Sequence, residues 1–151
     1  NFIRHKLLVL VVGDVFDHKT GQKIAGLMNE DNTGFRSTVE VMAASTRRIR
    51  NRFVENTTLA VVATNAEFNK TQLNKIAGMA HDGYARSINP VHSSADGDSI
   101  YAVSLGEVKA DQDLVGTLAA EVVSEAITRA VISAESAYGI PAARDLDFVK
   151  I

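Results

Sequence analysis

Between Thr57 and Leu105 two short apolar runs flank one helical pattern, and this order constrains the fold more than any other feature of the chain. The first run, Thr57 to Ala63, is rich in β-branched residues and reads as a strand. Asn69 then stands as a helix N-cap. Leu73, Ile76, Ala77, Ala80 and Tyr84 follow at helical spacing and mark a buried face. Ser99 to Leu105 reads as the next strand, closed by Gly106. A strand-helix-strand order favours a layered α/β structure.

The flanking segments extend this layout. Lys6 to Phe16 carries Leu-Leu-Val-Leu-Val-Val before Gly13-Asp14 and suggests a strand buried on both faces. Asp17 to Gly21 reads as a turn, Ile24 to Met28 as a segment that pairs back, and Asn29 to Gly34 as a loop. Asp111 to Tyr138 is a long amphipathic helix with a stripe of Val115, Leu118, Ala119, Val122, Ala126, Ala130 and Ala134, stopped by Gly139-Ile140-Pro141. Its many alanines permit close packing. The tail with Asp145 and Asp147 reads as an exposed end.

Composition narrows the function classes. With 151 residues, 46% of them hydrophobic, the chain has the size and character of one globular domain. There are no cysteines, which excludes disulfides, thiolate zinc sites and a cysteine nucleophile, and is consistent with a cytoplasmic setting. A net charge of −2 provides no general basic field for nucleic acid. The longest apolar run, Leu7 to Val12, is too short to span a bilayer. Arg47, Arg48, Arg50 and Arg52 form a basic cluster in a weakly helical stretch, Thr38 to Arg52. The plain reading is a solvated linker, with a phosphate or RNA contact as the alternative.

Three groups of residues carry possible chemistry. Thr57 stands at the head of a strand after a loop-like segment. A threonine hydroxyl needs a base, and an N-terminal threonine has its own α-amine, whose ordinary pKa is about 7.7–8.0. Scission between Asn56 and Thr57 would expose that amine. On spacing alone, a β-favouring residue at a strand start is the stronger reading of Thr57. Asp96 and Asp98 flank Gly97. In an extended segment they point the same way and can share or relay a proton. A plain Asp-Gly turn and a divalent-metal site are the alternatives. His92 lies in the loop before the aspartates, within reach of a substrate. His81 lies near the end of the first helix, where a cation suits the helix dipole. Neither histidine has metal-ligand spacing.

Taken together, Asn56-Thr57-Thr58-Leu59 through Asn65, Met79-Ala80-His81-Asp82-Gly83, Asn89-Pro90-Val91-His92 and Asp96-Gly97-Asp98 resemble the self-cleaving L-aminopeptidase/D-esterase and β-peptidyl aminopeptidase family. The likeness is strongest to its nylon-oligomer hydrolase branch, the 6-aminohexanoate-oligomer endohydrolases. Gly13-Asp14-Val15 and Thr20-Gly21 resemble the segment upstream of the cut. The resemblance implies an α+β fold, a four-layer αββα sandwich built by two fragments. Residues 1–56 would end the α fragment and residues 57–151 would form the β fragment, together one domain in the C-terminal part of a longer precursor. It implies autocleavage at Asn56/Thr57, Thr57 as nucleophile, Asp96 in contact with Thr57, and Asp98 in support of Asp96. It implies no metal or organic cofactor; the charge and the short apolar runs leave no nucleic acid or membrane partner expected. The implied substrate is a linear amide, and the implied assembly is a homo-oligomer of fragment pairs that includes the N-terminal portion of the precursor.

The rival expectations are an aminopeptidase of short α- or β-peptides, an acyl transferase like the ornithine acetyltransferases, and a non-catalytic module. One departure stands out. The family usually carries an asparagine in the strand before Gly13-Asp14, where this chain has Leu10. Leucine donates no hydrogen bond. Loss of one such donor typically costs about 2.7–4 kcal/mol of transition-state stabilisation. Either another donor serves, the alignment shifts, or activity is weak.

Overall fold

The computed structural model describes residues 3–10 by their backbone and residues 13–44, 57–94 and 96–150 in full. The Arg47, Arg48, Arg50 and Arg52 cluster and Asn56 lie outside the described residues. The elements are β1 (Ile3–Leu10), β2 (Asp14–Phe16), β3 (Lys23–Ala25), α1 (Thr38–Ala44), β4 (Thr57–Ala66), α2 (Lys70–Ser87), β5 (Ile88–Asn89), β6 (Ser99–Val108) and α3 (Gln112–Ser133), followed by a short 3₁₀ turn at Ala143–Asp145. The fold is mixed α/β, as the strand-helix-strand order requires.

Two three-stranded sheets form, in the orders β1-β4-β6 and β3-β2-β5. β4 and β6 are parallel, joined by α2, and β1 runs antiparallel to β4 with Leu10 opposite Thr57. β4 alternates as a half-covered strand should. Thr58, Ala60, Val62, Thr64 and Ala66 are buried beneath the helices, while Leu59 and Val61 are exposed on the other face. Tyr101, Val103 and Leu105 of β6 continue that exposed apolar face. Thr57 belongs to the same row as Leu59 and Val61, at its end.

Local signals explain the helices. Asn69 caps α2 through a capping box: its side chain accepts from the Gln72 N–H at 3.0 Å, and the Gln72 side chain accepts from the Asn69 N–H at 3.0 Å. Ile76, Ala80 and Tyr84 are buried as the spacing predicts, with Leu73 and Ala77 half-buried. α3 starts at its cap Asp111 but ends at Ser133, short of the predicted Tyr138. A tight hairpin turn at Tyr138-Gly139, both at positive φ, follows instead.

The buried stripe of α3 is rotated from the predicted one. Val115, Ala119 and Ala126 are buried as predicted, but Gly116, Ala120, Val123, Ser124 and Ile127 are buried as well, whereas Leu118 and Ala130 are exposed. The reason is close contact with α2. A Cβ at Gly83 would lie 2.5 Å from the Ala120 carbonyl oxygen, and one at Gly116 would lie 2.3 Å from Met79 Sδ. Ser124 Oγ donates into this seam, 3.1 Å from the Gly83 carbonyl. Small residues at this seam therefore turn the face.

Three further differences are tertiary in origin. β6 does not stop at Gly106 but continues through it to Val108, with a register shift against β4 and Gly106 at φ 73°. The predicted strand Lys6 to Phe16 is two strands in different sheets. The tail is only partly exposed: Ala142 and Ala143 are buried, Val149 packs on the core, and Phe148 meets Phe35 edge to face at 5.0 Å.

Asp14 organises the smaller sheet. It is buried, pairs with Lys23 Nζ at 2.8 Å, and accepts from the Thr38 N–H at 3.0 Å and the Thr38 hydroxyl at 2.7 Å. It thus caps the start of α1 from a distant strand. Burial alone would raise its pKa, but the bonds from Lys23 and Thr38 outweigh that and lower it. A depressed carboxyl pKa gives stability that is present above the unfolded value of about 3.9 and lost as pH falls through the folded value. Asp14→Asn should therefore destabilise the protein at pH 7 by about 3 kcal/mol, the scale of a broken buried pair. The gap from wild type should shrink below about pH 4. Denaturant melts across pH check this, and an equal gap at pH 3 and pH 7 would contradict it.

Candidate active site

Where β4 emerges ahead of β6, side chains replace strand partners. The β4–β6 ladder begins at Leu59 opposite Ser99. One residue earlier, the Thr58 N–H donates to Asp98 Oδ1 at 3.0 Å, and the Thr58 carbonyl accepts from the Tyr84 hydroxyl at 3.1 Å. The same hydroxyl lies 3.2 Å from the Ser99 carbonyl. Thr58 itself is buried, so both of its backbone groups require partners. A carboxylate and a phenol supply them. Burial first, and the charge of Asp98 second, raise the Tyr84 pKa well above the ordinary tyrosine value, so the phenol stays a donor.

Thr57 is half-buried at the strand head. Gly97 lies directly against it: a Cβ at Gly97 would be 2.9 Å from Thr57 Oγ1. The Asp96-Gly97-Asp98 segment thus wraps the end of β4, with its middle residue on the threonine hydroxyl. A side chain there would push the hydroxyl aside.

The two aspartates have different partners. Asp98 is nearly buried, with Oδ1 on Thr58 and Oδ2 2.9 Å from His92 Nδ1. Asp96 Oδ2 accepts from the Ser93 hydroxyl at 2.6 Å and the Ser93 N–H at 3.1 Å. The described hydrogen bonds of Asp96 therefore fold the loop, and those of Asp98 reach the strand. Leu10 lies opposite Thr57 across the β1–β4 pair.

His92 does not stand alone. Its ring meets His81 at 4.9 Å and Tyr84 at 5.9 Å between centroids. His81 is packed within α2 against these rings rather than set at the helix end as a free cation. Burial, and then the nearby His92, lower its pKa, with Asp98 and Asp82 opposing, which favours a neutral ring. Among the described residues, no group of three or more histidine, aspartate or glutamate side chains could hold a metal ion. No helix of the described residues is long and apolar enough to cross a membrane.

The resemblance implied Asp96 in contact with Thr57 and Asp98 in support of Asp96; the described bonds of Asp96 go to Ser93, and those of Asp98 to Thr58 and His92. Tyr84 and Ser93 carried no site role in the sequence. Tyr84 was visible only as a buried helix position. The one available signal was its hydroxyl, which a buried tyrosine must satisfy.

Known proteins resemble this chain over most of its length. Residues 9–144 match Peptidase family S58. An uncharacterized aminopeptidase of Mycobacterium leprae is 36% identical over 101 residues, covering 57% of this chain and 28% of that protein. One of Mycobacterium tuberculosis is 33% identical over 106 residues, covering 60% and 31%. The 6-aminohexanoate-oligomer endohydrolase of Paenarthrobacter ureafaciens is 30% identical over 88 residues, covering 50% and 25%. The match thus spans less than a third of the length of these curated relatives, 31% at most. A solved structure, the PH0078 protein of Pyrococcus horikoshii OT3, superposes with a TM-score of 0.45 at 18% identity, covering 87% of this chain and 39% of that one. With the match running from the β1–β4 pair through the Asp-Gly-Asp turn to the tail, the chain belongs to Peptidase family S58.

Proposed function

We propose that this chain is the nucleophile-bearing part of an amide hydrolase that first cleaves itself between Asn56 and Thr57. The observation that carries the reading is the pressing of Gly97 onto the Thr57 hydroxyl while Asp98 and Tyr84 fix the next residue. In the first reaction Thr57 Oγ attacks the carbonyl carbon of the Asn56–Thr57 peptide. The C–N bond breaks, the hydroxyl proton passes to the leaving nitrogen, the α-amine is freed, and an ester remains. Water opens the ester and leaves Asn56 with a carboxylate. In turnover, Oγ attacks a substrate amide and its proton passes to the α-amine. The leaving amine takes a proton, and water then hydrolyses the acyl-enzyme.

In this reading Asp98 holds the strand head. Asp96, on the other side of Gly97, steers Thr57. Asp96 is held by Ser93 in this structure, which keeps its loop folded against the strand. The proposed substrates are linear amides such as 6-aminohexanoate oligomers, supported by the names of the relatives at 30% identity. Cleavage of short peptides from their amino end is the second reading, favoured by relatives named aminopeptidases at 33% and 36% identity. The exposed row of Leu59, Val61, Tyr101, Val103 and Leu105 supports the four-layer architecture. It offers an apolar sheet face for a second sheet from the N-terminal portion of the same precursor, within an oligomer of such pairs.

Thr57→Ala should abolish self-scission and lower amide turnover by at least about a thousandfold, the scale of nucleophile removal. A cleaved, active Thr57→Ala protein would sink the assignment. Gly97→Ala should fold normally yet lose about a hundredfold in turnover, because its Cβ displaces the hydroxyl. Wild-type rates in that variant, measured on the same oligomers, would show that the contact does not matter.

A further inference from the structure

We infer that His92 is a positioning residue, whose Nδ1–H orients Asp98 so that the other carboxylate oxygen holds the Thr58 N–H and sets the Thr57 hydroxyl at the strand head. The inference rests on the reading of Thr57 as nucleophile.

The geometry is specific. His92 has φ 56°, a left-handed conformation uncommon for a residue with a side chain. That conformation turns both its backbone N–H, at 3.4 Å, and its ring Nδ1, at 2.9 Å, toward Asp98 Oδ2. Asp98 Oδ1 is thereby left for Thr58, at 3.0 Å. A carboxylate bonded through one oxygen alone could rotate about its χ2 torsion. Bonded through both, it fixes the peptide between Thr57 and Thr58. The titratable groups facing His92 are Asp98, the neutral-leaning His81 and Tyr84. Its side chain is 40% exposed and that of Asp98 is 5% exposed, so the histidine closes the solvent side of a buried carboxylate.

A substrate-touching imidazole and a positioning imidazole differ in what can replace them. Asparagine tolerates the left-handed conformation and places an N–H near the position of Nδ1. Phenylalanine keeps a ring but has no donor. The test follows self-scission of the full-length protein by the appearance of the fragment beginning at Thr57, with thermal melts as a fold control. His92→Phe should slow scission by about tenfold or more, the effect of losing a charge-assisted hydrogen bond. His92→Asn should restore the rate to within about threefold of wild type, since the donor is kept. If His92→Phe fails to fold, His92→Gln replaces it, its amide lying one carbon too far out, with the same slowing expected. A wild-type rate in the donor-less variant would overturn the inference. So would His92→Asn as slow as His92→Phe, which would mean that the imidazole itself acts on the reacting groups. A Thr57→Ala protein that still cuts itself would instead overturn the underlying functional reading.

Discussion

The hydrogen bonds on Thr58 determine how the rest of this site is arranged. In a parallel sheet each backbone group of an interior strand meets a neighbour. At Thr58 the neighbour has not yet begun, and the groups are buried. An unpaired buried backbone group costs about 1–3 kcal/mol. Asp98 and Tyr84 offset that cost with side chains, and side chains can be placed where a strand cannot. The result is a strand whose first two residues run ahead of its ladder with β6, with a threonine hydroxyl at its tip.

The scaffold behind this clamp is built for close approach. Tyr84 reaches Thr58 only because α2 lies firmly on the sheet, and α2 is held there by α3. The seam of Gly83, Gly116, Ala120 and Ser124 brings the helix backbones together. On the other side, β5 ties the loop of His92 and Asp98 to β2, with Asp14 opposite Asn89. Gly13 permits this approach, since a Cβ there would lie 2.6 Å from the Pro90 carbonyl oxygen. Asp14 in turn fixes α1, the last described element before the segment that contains the proposed cut. Both the upstream segment and the loop facing the hydroxyl are thereby referred to one small sheet.

Much of this was legible in the sequence where the signal is local. The β-branched run from Thr57 and the Asn69 cap are properties of adjacent residues, and both elements form, with the strand running on to Ala66, past the predicted Ala63. The α3 stripe was right at Val115, Ala119 and Ala126 and wrong at Leu118 and Ala130, because its face is turned by glycine and alanine at a helix contact, and periodicity of large apolar residues does not register them. Gly106 read as a stop, yet pairing with β4 carries β6 through it. β5 has two residues and exists only because β2 lies beside it. Within the site, Thr57 and the Asp-Gly-Asp turn were visible through family resemblance. The split of roles was not, because Asp98 binds a backbone N–H and Asp96 binds Ser93, and neither partner is marked by spacing. Tyr84 bonds Thr58 across distant segments, where a single sequence has least to say.

The most direct test of this account is the intact mass of the full-length protein after incubation at neutral pH. The account predicts two fragments, the second beginning at Thr57 with a free α-amine. A single uncut mass from folded full-length protein would contradict it.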